Sequence, residues 1–212
     1  MHFGYKTAHG ITVLEGLEAV RHRPTMYIGA EEPGRSLRAR LLEWVVDGVA
    51  HDTPTPDEVR VLVWRDGAIT VAYDGAPIPI EPFARPVDGV AHPVFYQFFL
   101  YLFARGDPFQ RTLSFGSVLN ALSDRLVVST MHGDDRYRAV FSQGLIVSLL
   151  ARTSCERPLG TTWLTFLPDA TLITGDALTR DDAAQVAERV MQGAAGVRVS
   201  VDDRTSEEAD WY

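Results

Sequence analysis

The 212-residue chain contains one cysteine, one lysine and one asparagine. Cys155 alone forms neither an internal disulfide nor a CxxC metal site. Lys6 stands against nineteen arginines and Asn120 has no second asparagine beside it, so a site needing another of either cannot be built. No apolar run reaches the ~20 residues of a membrane-spanning helix, and residues 1–10 lack the pattern of a secretory leader. The six histidines show no HxH or HExxH spacing, so no metal site is expected. Net positive charge is also missing: the balance is −8, which argues against direct, nonspecific nucleic-acid binding. These absences read as a soluble, cytoplasmic chain with no membrane partner. What is present is 46% hydrophobic residues, enough at this length to bury the core of one domain.

Periodicity places the elements. Leu14, Leu17 and Val20 space a short helix over 13–23, which Pro24 stops. Residues 25–34 read as loop. Ser36 caps a second helix whose apolar face is Leu37, Leu41, Trp44, Val45 and Val49. Val59, Val61 and Val63 alternate with polar or larger residues, and Asp66-Gly67 joins this run to 68–73 as a hairpin. Prolines at 77, 79, 82 and 86 stiffen the next loop. The aromatic block 94–103 reads as a buried helix, and 117–123 as a short one. Strands follow at 126–131, 137–142, 145–150 and 161–167. A helix over 181–191, capped by Thr179, and a strand over 197–201 close the pattern. Adjacent strands with separately grouped helices predict an α+β architecture, a mixed sheet with helices on one face. The organisation expected is an N-terminal arm over 1–10, a domain over 11–202 and an acidic tail over 203–212.

The stretch ITVLEGLEAVRHRPTMYIGA, from Ile11 to Ala30, resembles the amino-terminal signature of type II topoisomerase ATPase domains, most closely the DNA gyrase B group. Further echoes come in order. LLEWVVDGVAHD from Leu41 resembles the helix carrying E-V-V-D-N, and VAYDGAPIPI from Val71 resembles V-x-D-N-G-R-G-I-P. SVLNALSDRLVV from Ser117 resembles the segment after a glycine-rich lid, and GTTWLTFLPD from Gly160 resembles G-T-x-V-x-F-x-P. The resemblance implies the GHKL (Bergerat) fold, a two-layer α/β sandwich, with ATP and Mg²⁺ as cofactors.

Carried over residue by residue, the chemistry departs from that family. Its general base, a glutamate that orients water against the γ-phosphate, falls at Trp44. Glu43 is adjacent but turned about 100° around the helix. The asparagine that holds Mg²⁺ falls at Gly48. The aspartate that accepts from the adenine amine falls at Tyr73, and Asp74 faces the opposite side of the strand. The G-x-x-G-x-G phosphate loop, counted back from Asn120, falls on 110–115, which contains no glycine. Gly75, Ile78, Pro79, Gly160 and Thr161 keep the pattern, with Thr161 able to bond a purine edge and Val118 completing the pocket lining. The expectation is a gyrase-B-like domain without the usual ATPase mechanism, with neither ATP nor Mg²⁺ as cofactor, acting as a stand-alone binding module.

Two readings of Trp44 and Tyr73 remain open at this point. They fill the former nucleotide cavity, since voids cost stability. Alternatively they line a new apolar pocket for a small molecule, with Asp47, His51 or Asp74 as candidate acid–base groups. His51 also suits the carboxyl end of a helix as a cation. A third reading is an atypical ATP-binding domain. Expected partners are a protein or small-molecule ligand, or a second copy reached through the arm that carries Tyr5, which resembles the arm that crosses to the partner subunit in this family.

Overall fold

The computed structural model describes residues 6–8, 11–13, 16–82, 93–102, 113, 115–155, 157–194 and 196–211. Tyr5 and most of the 110–115 stretch lie outside them. Lys6–Ala8 (β1) and Ile11–Val13 (β2) pair antiparallel as a small hairpin. That hairpin takes the start of the helix expected over 13–23, leaving α1 at Leu17–His22. Thr25–Ile28 (α2) is a single helical turn inside the expected loop, closed by the Tyr27 and Ile28 amides donating to the Pro24 carbonyl. Four residues are too short to show a period.

Ser36 caps Leu37–Ala50 (α3) as expected, its side chain accepting from the Ala39 amide. The hairpin forms from Glu58–Trp64 (β3) and Ile69–Tyr73 (β4). Phe95–Leu100 (α4) and Gly116–Leu122 (α5) follow. Ser123, read as helical, instead opens the strand Ser123–His132 (β5), which runs antiparallel to Asp135–Ser142 (β6). Leu145–Thr153 (β7), Thr162–Pro168 (β8), Arg180–Gly193 (α6) and Arg198–Arg204 (β9) complete the chain. Thr179 caps α6 in a reciprocal box with Asp182.

The strand order is β7-β6-β5-β8-β4-β3-β9, parallel only between β3 and β9. One register row, Val201–Val61–Val71–Leu164–Val128–Ala139, crosses six strands, and all but Val201 are buried in the main core. The apolar faces of α3 and α6, with Phe95 and Phe99 of α4, share that core. The two-residue period of the strands and the helical period of α3 therefore meet at one surface. The architecture is the expected α+β, mixed-sheet one.

The acidic segment packs rather than trails. Asp203 and Arg204 end β9. Beyond them, Ala209 is buried, and the Trp211 carbonyl accepts from Arg125 at 3.0 Å and Arg138 at 2.5 Å. Among the described residues no helix is long and apolar enough to cross a membrane.

Candidate functional site

The next row outward from the core row is Val59–Tyr73–Thr162–Thr130–Tyr137. It lies two residues along each strand, so it faces the same helices. Tyr73 is only 4% exposed, and Thr162 stands directly opposite it on the neighbouring strand. Burial, reinforced by the negative charge of Asp52, pushes the Tyr73 phenol far above its ordinary value, so it is a neutral phenol. Thr162 and Thr130 share a hydrogen bond of 3.2 Å, and Thr130 Oγ1 accepts from the Ile78 amide at 2.9 Å. The Ile78 carbonyl lies 2.9 Å from Nε2 of His132; a carbonyl only accepts, so that nitrogen carries a proton. The Ile78–Pro79 loop is thus fastened to the sheet at both backbone groups of Ile78. Gly160 closes over Tyr73, where a Cβ would stand 2.8 Å from the Tyr73 carbonyl oxygen.

The other end of the cleft is set by α3. A Cβ built at Gly48 would stand 2.3 Å from Cδ1 of Phe115, a ring 1% exposed. Phe115 occupies the position aligned with the last glycine of the family loop. Leu113, aligned with the glycine before it, is also buried, with φ at 53° in the left-handed region that glycine adopts freely. Two bulky apolar side chains thus stand where the family pattern has only backbone. Val118 is buried just beyond, in α5.

The remaining candidates do not converge on this row. Trp44 is 39% exposed, so it does not fill a cavity as Tyr73 does. Glu43 turns away, as its place on the helix requires. It accepts from Arg35 Nε at 2.8 Å and lies 3.6 Å from Arg189. Asp47 and His51 are more than half exposed and interact with each other, His51 Nδ1 lying 2.9 Å from the Asp47 carbonyl and 3.4 Å from its carboxylate. Asp74 is exposed, and its carboxylate accepts from the Thr161 amide at 2.9 Å and hydroxyl at 3.3 Å. Thr161 is therefore tied to Asp74, and Thr162 is the threonine that pairs with Tyr73 across the sheet. Counting the G-T-x-V-x-F-x-P pattern back from Pro168, instead of forward from Gly160, would have found it: the stretch carries one extra residue. His132 belongs to the site through Ile78. Phe115 was visible only as a missing glycine.

These residues do not fit magnesium and a nucleotide. Position 44 offers no carboxylate, and position 48 offers neither a ligand atom nor room for one. The adenine acceptor is replaced by a buried, neutral phenol. Among the described residues, no cluster of three or more His, Cys, Asp or Glu is placed to hold a metal ion.

No protein-family model matches the chain. It is 32% identical over 212 residues to DNA gyrase B of Thermus thermophilus, covering 93% of this chain and 32% of that protein. It is 30% identical over 213 residues to DNA gyrase B of Rickettsia felis, covering 95% of this chain and 26% of that protein. The chain thus spans about a third or less of the length of these relatives. Among solved structures, the 43K ATPase domain of Thermus thermophilus gyrase B, in complex with an aminocoumarin, matches with a TM-score of 0.70 and 26% identity, over 91% of this chain and 50% of that one. Sequence and fold agree, and the chain is a gyrase-B-like domain of the GHKL type.

Proposed function

We propose that this domain has lost ATP hydrolysis and ATP binding and acts in the cytoplasm as a binding module. The observation that carries the reading is the Phe115 ring seated on Gly48, where the family pattern has a metal ligand facing a glycine loop. The burial of Tyr73 at the adenine end supports it independently. Phosphoryl transfer depends on positioning a base, a metal and backbone donors around the γ-phosphate, and their positions here hold a tryptophan, a glycine and buried apolar side chains. The small-molecule alternative needs Trp44 and Tyr73 on one open wall, whereas Tyr73 is enclosed and Trp44 is solvent-facing.

Calorimetric titration with Mg²⁺ and a non-hydrolysable ATP analogue tests the reading, with ADP and an aminocoumarin alongside. No saturable heat at millimolar ligand is expected for any of the three. Saturable binding of the analogue, accompanied by a change in tryptophan emission, would sink the proposal and restore an atypical ATP-binding domain.

A further inference from the structure

The β7 strand is an edge of the seven-stranded sheet, and most of its residues are exposed. Leu145, Ile146, Val147 and Leu149 are 61, 38, 64 and 68% exposed. Elsewhere the described exposed large hydrophobics are scattered singly, and single ones need no explanation. Four within five residues of one edge strand are clustered. The usual guards of an edge are only partly present. The strand has no proline, lysine or acid, and its one charge, Arg152, is held by Asp135 at 2.5 Å. Two register shifts against β6 do break the ladder, between Ile146 and Ser148 and between Ser148 and Ala151. They discourage strand addition and leave the side chains as the part able to make contact.

We propose that the strip Leu145–Leu149 is a self-association surface, packing on the same strip of a second copy about a two-fold axis. Symmetry selects this occupant. Across a two-fold axis like surface meets like, so each charge on the axis meets its own sign. The strip Leu145–Leu149 carries no charged residue, so packing it on its own copy brings no like charges together. The area also fits. Four side chains at these exposures offer roughly 300 Å² of apolar surface per copy, within the range of the largest patch on a monomer. Two copies of the strip then bury about 600 Å² of apolar surface, the size of a weak, transient contact. The complex expected is therefore weak, with a dissociation constant on the order of micromolar or above. It requires no nucleotide, so it stands whether or not the nucleotide reading holds.

Sedimentation of the chain without ligand, from low to high micromolar concentration, tests it. A concentration-dependent monomer–dimer equilibrium is expected. Val147→Lys with Leu149→Lys is expected to raise the dissociation constant at least about tenfold, by placing like charges face to face. Met26→Lys, at an apolar residue 71% exposed away from β7, is expected to leave it unchanged. Thermal unfolding of each variant shows that it is folded. In a Cys155→Ser background, Val147→Cys is expected to cross-link to itself on oxidation, because a central residue meets its own copy. A chain that stays monomeric throughout overturns the proposal. So does a dimer that the β7 charges leave intact.

Discussion

Gly48 and Phe115 are energetically coupled, and a single added carbon should reveal it by the sign of its effect. Gly48 lies inside α3, where alanine is favoured over glycine by about 0.8–1.0 kcal/mol. The Cβ that alanine adds would stand 2.3 Å from Phe115 Cδ1, far inside the ~3.5–4.0 Å of carbon–carbon contact. The ring is 1% exposed and has no solvent to swing into. Forcing a carbon into such packing costs about 1–3 kcal/mol. Gly48→Ala is therefore expected to destabilise the chain by about 1 kcal/mol net, a fall in Tm of roughly 2–4 °C at this size. Phe115→Ala alone removes a buried ring and costs about 3–5 kcal/mol. In that background the collision is gone, and Gly48→Ala should now stabilise by about 0.8–1.0 kcal/mol. The sign reverses, and the coupling is about 2 kcal/mol. Urea unfolding of the four proteins, followed by far-ultraviolet circular dichroism, measures the cycle. An effect of Gly48→Ala equal in both backgrounds within about 0.5 kcal/mol refutes the contact, and with it the central support for a nucleotide-free site.

Three further outcomes follow from the same packing. Tyr73 is 4% exposed, so Tyr73→Ala removes a buried ring and should cost about 3–5 kcal/mol in urea unfolding; an unchanged midpoint would show that the ring is not packed. Asp169 is buried and accepts from Arg21 at 2.9 Å and from the Thr171 hydroxyl at 2.6 Å. Burial opposes its ionisation, but the hydrogen bonds from Thr171 and Arg21 prevail and hold the carboxyl below its ordinary 3.8. A depressed folded value stabilises above the unfolded one, and that stabilisation is lost as pH falls through the folded value. Urea midpoints taken from neutral to strongly acidic pH should drop at the acid end, and Asp169→Asn should flatten that drop. Thr179→Ala breaks the capping box of α6 and should cost about 1 kcal/mol, read as a lower Tm, with Thr179→Ser nearly neutral.

Much of the fold was legible because its signals are local. Ser36 and Thr179 cap helices for reasons contained within four residues, and Asp66-Gly67 joins two alternating runs whose pairing the turn dictates. The failures have the opposite character. The β1–β2 hairpin diverts Val13 from a helix because its three pairs outweigh the apolar spacing from Leu14 onward. Ser123 leaves α5 because β8 is there to pair with it, at Pro168. The acidic end packs because Arg125 and Arg138 of two separate strands converge on one carbonyl.

The site divides along the same line. The sequence by itself determined which residue types stand at the family's chemical positions. Trp44, Gly48 and Tyr73 stand where a base, a metal ligand and an adenine acceptor would be, and no other asparagine replaces the ligand. Only the tertiary structure decided what became of the space. Trp44 faces solvent, Tyr73 is buried opposite Thr162, and Phe115 packs on Gly48. A side chain's identity is carried by its own position, but the hole it fills is made by residues far away in the chain. Packing is a property of surfaces that meet only after folding.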